Sequence, residues 1–491
     1  MRDVILVTDA IGRPLNPRLR DQQLVLPPAG QEARYEGDAA LTALGCTEDD
    51  PLAAFVPGAR AFRARVEGRT VILRAEEPWA TFNVFLDGTH VIAEGRAIGA
   101  GRAHLIVRGS ARAGLTEGAS GEFLDEAQGF VRGDSTAVAR DAAEVESRDR
   151  SSVNAVGAAR VYAYDRSRVD LGETSWGVGF DAAQLRFRDT ARGEVHDRAR
   201  FTAQDDAQIG AHGAAHGMAH DRATVVGHDT VCVHGVDHSC LIGDGPVTFM
   251  ADDATRVTLC WGPEHPGDEV VQVAQVIARG AAAVSARGAG VRVHQEGRGT
   301  LLLADHARAH TRGPVRVTVE TDAEVVSAGG ASVTGHDAQV TLDDGSRAVL
   351  TGRIDARVRG SAKLHASDGA GTIRAEDDAR VAVRRGAFTV AASGASEVDA
   401  SGPAFIAAVD RVRLHVTDSA NALVGSDVRC TRGARHRGEV IVDPRLGESA
   451  SWASRDARAA TRAVATVVGE PIGGTRPVAA PGATTLTLAL K

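Results

Sequence analysis

The sequence predicts an all-β fold, a single-chain β-solenoid (β-helix) built from eight-residue strand-and-turn units. Three observations predict it. A frame of eight set at Arg102 runs through nineteen consecutive units to Asp253 without an insertion. Within it the second place holds only Ala, Ser or Val, from Ala103 to Val247, and the fourth and sixth places are never charged. The eighth place is Asp twelve times, Gly five times and Glu twice.

Small or apolar residues at alternate places are the period of a half-buried strand, whereas a helix needs 3.6. Asp and Gly supply the corner, since Asp bonds nearby backbone and Gly tolerates positive φ. Such a unit cannot bury its inner face alone, so coils must stack, with ladder hydrogen bonds running along the axis. An interior of mostly Ala and Val is too small to fill a triangular coil. Two units per coil are therefore expected, and a repeat zone on the order of 100 Å long.

Residues 1–87 do not obey the frame. They mix strand-like VILVTD, TVILRAE and TFNVFLD with a short helical stretch, GDAALTALG, at 37–45, and are expected to form an α+β or β module that caps the first coil or attaches it to a partner. The solenoid is assigned to 88–445. WGPEHPGDE, from 261, interrupts it, and its Pro and Gly mark a loop insertion at 261–270. Clear units resume at 273–280, 281–288, 322–329, 330–337, 361–368 and 378–385, with one-residue slips expected near Ala304 and Asp344. In 446–491 a capping helix is expected over 449–468, with Trp452, Ala460, Val464 and Val467 on one face, followed by an extended tail that packs on its own solenoid or adds a strand to a partner.

Composition narrows the function classes. Aromatic residues are 4% of the chain, so the interior is built from small side chains. The 56 bases and 64 acids are interspersed and net to −8, with no basic block to track a phosphate backbone, which argues against nucleic acid. Cys46, Cys232, Cys240, Cys260 and Cys430 are too few and too scattered for a disulfide framework. The apolar run before Asp9 is too short for a signal peptide or a membrane span, so a cytoplasmic location without membrane insertion is expected.

Four places could carry chemistry. His196, His212, His220 and His228 all fall at the seventh place of their units, beside the corner. Cys232, His234, His238 and Cys240 offer soft metal ligands, although their spacing matches no zinc finger or ribbon. The Asp column could hold Ca²⁺ between coils, but the chain has no GGxGxD nonapeptide, and a carboxylate satisfying its own corner is the better account. Tyr162, Tyr164, Trp176 and Phe180, with Asp165, Asp170 and Asp181 nearby, form the best candidate for a glycan-binding patch. No nucleophile elbow, phosphate loop, dinucleotide loop or HExxH motif occurs in usable form, so neither catalytic residues nor a cofactor are assigned.

The units ARVYAYDR at 159–166 and ARFTAQDD at 199–206 resemble the A-x-V-x-A-x-D/G octapeptides of β-solenoid proteins from GC-rich bacteria and their phages. The resemblance covers about 350 residues and implies the fold, with a looser suggestion of a phage or tail-like appendage. Three roles follow as expectations. The first is a non-catalytic structural or interaction protein, a rigid rod displaying protein partners through its ends, with or without homo-oligomeric assembly. The alternatives are a tail-spike-like glycan-binding or depolymerising protein and an intracellular self-assembling filament.

Overall fold

A computed structural model describes residues 96–261, 273–320, 322–443 and 446, together with Gly30, Gln31 and the N-terminal strands. The proposed helices at 37–45 and 449–468, the C-terminal tail and all but Trp261 of the loop 261–270 lie outside the described residues. The described residues are all-β and contain no α-helix. About 21 turns of parallel solenoid run over residues 89–442, and the chain divides into two compact units, 1–324 and 325–491.

In the first unit the apolar stretches of the N-terminal module form strands where the alternation placed them, at Val4–Val7, Thr70–Ala75 and Phe82–Leu86. Glu32–Glu36 pairs antiparallel with Ala61–Glu67, which pairs antiparallel with Thr70–Ala75. Val4–Val7 pairs antiparallel with Phe82–Leu86. Thr70–Ala75 and Phe82–Leu86 then pair parallel with Thr89–Glu94 and Arg96–Ala100. Strands of the module therefore bond through their main chains to the first two strands of the solenoid.

From Arg96 to Cys260 each coil is two strands, and successive coils bond in parallel at an offset of sixteen residues. Glu144, for example, sits between Gln128 and Arg160. Sixteen residues per coil is the two-sided arrangement expected from the small interior. Burial alternates along each strand, as in Arg160–Ala163, where Val161 and Ala163 are fully buried. Ala103, Ala111, Ala119, Ala143 and Ala159 at the second place are likewise inaccessible, because here the wall bends and nothing larger than valine is accommodated.

The slim core has a rule of its own. Where one sheet contributes a large side chain at the sixth place of a unit, the facing sheet answers with glycine at the fourth place of the next. A Cβ added to Gly129 would lie 2.0 Å from the Phe123 ring, and one on Gly193 would lie 2.6 Å from Phe187 and 2.0 Å from the Gly177 carbonyl. Gly177 answers Leu171 in the same way, at 2.6 Å. At these places the interior is thus filled pairwise, a large side chain against none.

The corners are four-residue turns. Ala143 N–H donates to the Arg140 carbonyl at 3.1 Å, and Asp141 between them stands at φ 58°. Asp165 and Asp181 share φ 58°, and Asp237 reaches 62°. This left-handed region is costly for most L residues and tolerated by Asp, Asn and Gly. The carboxylate does not satisfy its own corner, as expected from sequence, but the corner below. Asp125 N–H donates to Asp141 Oδ2 at 3.3 Å, Asp149 N–H to Asp165 at 3.3 Å, and Asp189 N–H to Asp205 at 3.2 Å. In a left-handed corner the N–H points along the stack, where only the next coil can meet it.

The slip expected near Ala304 is not there. Thr300 still pairs with Arg316, and the extra residue falls earlier, where Ala274 pairs with Val291. After the segment containing Trp261 the register has therefore already lengthened by one.

In the second unit the long strands Ser332–Leu342, Arg347–Val358 and Lys363–Ala375 pair in parallel. Their register shifts between His336 and Ala338 and again between Thr351 and Gly352, so the irregularity expected near Asp344 is split into two that flank it. Glycines hold the bend: a Cβ on Gly369 would come 1.8 Å from the Gly352 carbonyl, and one on Gly386 2.5 Å from that of Gly369. Ala407, Val409, Leu423 and Leu446 close a small cluster near the last described strands, with Phe405 and Ile441 against it.

Candidate functional site

Sixteen residues per coil decides which outward side chains meet. At the seventh place of alternate units the sequence reads Arg148, Tyr164, Phe180, His196, His212 and His228, and the fold stacks them in that order. The Arg148 guanidinium lies 4.8 Å from the Tyr164 ring centroid. Tyr164 and Phe180 stack at 5.1 Å, Phe180 and His196 at 5.0 Å, and both His196–His212 and His212–His228 at 4.9 Å, all within 12° of parallel. The rings are half-buried beside the corner. His220 is not part of this column: it belongs to the other set of units, bonded through its N–H to Ala203.

The stack fixes what these histidines can do. Parallel imidazoles separated by 4.9 Å direct their nitrogen lone pairs side by side, and a metal at ordinary Zn–N length of about 2.0–2.1 Å cannot bridge two of them. Burial, and then the neighbouring His196 and His228, hold the His212 pKa below the ordinary 6.5, against the opposing pull of Glu194 and Asp229. His196 Nε2 lies 3.3 Å from Glu194. The column is a cohesive edge in which His212 favours the neutral form.

The aromatic candidates of the glycan patch do converge on one face. Tyr162 and Trp176 meet edge to face at 5.6 Å and 76°, on strands Arg160–Ala163 and Trp176–Gly179 of consecutive coils. Tyr164 and Phe180 have spent their facing planes on each other. Asp165 is committed to the corner ladder, accepting from Asp149 N–H and donating its own N–H to Asp181 at 3.4 Å. Asp170 is paired with Arg188 at 2.8 Å, and Phe187 is wholly interior. What remains for a sugar is the Tyr162–Trp176 surface.

Cys232, His234, His238 and Cys240 do not come together. Cys232 and His234 share one strand, between His216–Ala219 and Thr248–Ala251. Cys240 lies in the opposite sheet, between Thr224 and Arg256. His238 stands at a corner and lines an open groove of about 620 Å³ with Asp189, Asp205, Asp221 and Asp237. Those carboxylates already accept corner N–H groups, as Asp221 does from Asp205 at 3.4 Å. Among the described residues no three His, Cys, Asp or Glu side chains converge as metal ligands. Burial pushes the Cys232 and Cys240 thiols up, so both favour the protonated form.

Two columns escape a reading in eights. The ring stack includes Phe180 and Arg148 as well as histidines, and Met218, His234 and Met250 align outward on a second column. Counting in sixteens from any of them would have found both. Comparison of the chain with protein-family models, with curated proteins and with solved structures finds no match.

Proposed function

We propose that the protein is a non-catalytic structural and interaction protein, a rigid solenoid that holds partners at fixed spacing in a larger assembly such as a phage or tail-like appendage. One observation carries this reading. From Gly109 to Asp237 corner carboxylates are spent on bonding successive coils, as in Gly109 to Asp125, Gly133 to Asp149 and Gly213 to Asp229, each at 3.1–3.2 Å. Side chains that an enzyme would aim at a substrate are here used for lengthwise cohesion. Partners are then expected through the N-terminal module or the C-terminal tail, and the cytoplasm is the expected place of synthesis. Among the described residues no helix is long and apolar enough to cross a membrane.

A second reading, glycan binding or depolymerisation, is favoured by the Tyr162–Trp176 pair. One experiment separates the two. The purified chain is incubated with capsular and cell-wall polysaccharides while reducing ends are measured, and a parallel sample is imaged by electron microscopy. The scaffold reading expects discrete columns and no new reducing ends. Sugar release that disappears in a Trp176→Ala variant overturns it.

A further inference from the structure

The chain contains three methionines, Met1, Met218 and Met250, so it uses this residue almost nowhere. Both internal ones stand in a single column of one sheet, directly before and after His234: Met218 pairs with His234, and His234 with Met250. Both are exposed, at 41% and 38%, where an unbranched thioether has no packing duty. The adjoining outward column reads His216, Cys232 and Thr248 on the same three strands. Parallel strands lie about 4.8 Å apart, and outward places on one strand about 6.6 Å apart, so five donors occupy a patch roughly 10 Å by 7 Å.

His234 is oriented for ligation. Its Nε2 lies 2.8 Å from Asp252 Oδ2, with both side chains about two-thirds covered. A carboxylate that accepts a hydrogen bond from Nε2–H fixes that tautomer and leaves Nδ1 as the free lone pair, the arrangement that commonly supports a metal-bound histidine.

We propose that Met218, His234 and Met250, with Cys232 and His216 beside them, form a surface site for a soft monovalent d¹⁰ cation, Cu(I), with Ag(I) as its redox-inert probe. Thioether, imidazole and thiol donors select such ions over Mg²⁺, Ca²⁺ or Mn²⁺, which require oxygen. Zn²⁺ favours four converging N, S or carboxylate donors, and among the described residues no three such groups converge. A soft cation of low coordination number is served by two thioethers and one imidazole. If Cys232 joins, its S–H bond breaks as the S–metal bond forms and one proton is released to solvent, with no change of oxidation state. The site is independent of the scaffold reading, since it uses only outward side chains of three strands.

The test uses the full chain with ¹³C-methyl methionine, whose spectrum has only three labelled methyls to assign. One equivalent of Ag(I) is added in nitrate buffer, and Cu(I) is titrated anaerobically against a chromophoric chelator. The expected result is that the Met218 and Met250 methyl signals shift together and saturate at one equivalent, while Met1 does not move. The double variant Met218→Leu/Met250→Leu, a volume-conserving change at exposed positions, should keep the parent circular dichroism and lose competition with the chelator. Asp252→Asn should weaken Cu(I) by about 10–100-fold. Cys240→Ser, in the opposite sheet, should leave it unchanged. Unmoved Met218 and Met250 methyls at one equivalent, or undiminished Cu(I) affinity in the Leu/Leu variant, would overturn the proposal.

Discussion

In the coils between Arg102 and Asp253 a carboxylate from the coil that follows meets corner N–H groups in long succession, whereas in residues 325–443 such bonds are scattered, as Gly360 to Asp377 and Gly394 to Asp410, and stand among arginine ion pairs. Asp205 N–H meets Asp221, and Asp221 N–H meets Asp237, in a ladder spaced at sixteen. In the later region the offset changes from Ser332–Arg347 to Ala338–Ile354 and again to Gly352–Gly369. There Arg359 bridges to Asp343 at 2.7 Å, Arg357 to Glu376 at 2.9 Å and Arg385 to Asp368 at 2.9 Å. The carboxylate ladder follows the slip at one corner, where Gly360 N–H meets Asp377 at 3.4 Å across seventeen residues, while the longer guanidiniums span sixteen, seventeen and nineteen. A change of register therefore leaves the corner carboxylate usable and adds long side chains as a second way to join coils.

The core pairs should give the largest test of this contrast. Phe123→Ala is expected to cost about 3–5 kcal/mol in urea unfolding, and Gly129→Ala alone roughly 1–3 kcal/mol. Combined, they should cost less than their sum, because the added methyl enters space the ring has left. In the later region the same cycle on Phe388 and Gly386 should show no such relief, since a Cβ on Gly386 would still meet the Gly369 carbonyl at 2.5 Å. Equal coupling in the two cycles would break the comparison.

Corner chemistry comes next. Asp181→Ala removes both the residue that tolerates φ 58° and the acceptor for Asp165 N–H, and should cost roughly 1–3 kcal/mol. Asp181→Gly restores only the first and should recover part of the loss. Asp343→Ala removes a partly exposed ion pair and should cost about 0–1 kcal/mol in the same measurement.

The pH response should be smaller and confined to the ring column. His212 is held below its ordinary 6.5 in the fold, so as pH falls through 6.5 the unfolded chain takes the proton first. Stability contributed by a neutral His212 is complete above 6.5 and declines below it. Hydrogen exchange at pH 8 and pH 5.5 should show this loss in coils 164–228, and His212→Phe should reduce it. An unchanged pH response in that variant would remove the ring column from the account. Smallest of all, raising salt to 1 M should weaken the arginine pairs of 325–443 slightly and leave the core pairs untouched.

Much of this fold was legible in the sequence, for a physical reason: a strand buried on one face imposes period two, and a corner in the left-handed region selects Asp or Gly. Val161 inside, Asp165 at the corner and two units per coil all follow from that. The answer of Gly129 to Phe123 was not legible, because it pairs places in successive units across the core, and a reading that aligns equal places separates them. The carboxylate's target was misplaced for a similar reason, since the direction of an N–H in a left-handed corner is set by the turn and not by residue type. For the candidate sites, Cys232 and Cys240 look close at eight residues, yet eight is half a coil, so they fall on opposite sheets. Tyr162 and Trp176 differ by fourteen, which places them on neighbouring strands of one sheet and lets them touch.

The corner ladder also has a polarity. At each step the donor is backbone that has already left the ribosome and the acceptor is a carboxylate arriving sixteen residues later, as when Asp237 reaches Asp221. Each coil of this ladder is thus completed by its successor. Synthesis in the N-to-C direction is expected to lay down a finished edge behind the growing end, so that a nascent chain at any instant leaves only its newest corner unbonded.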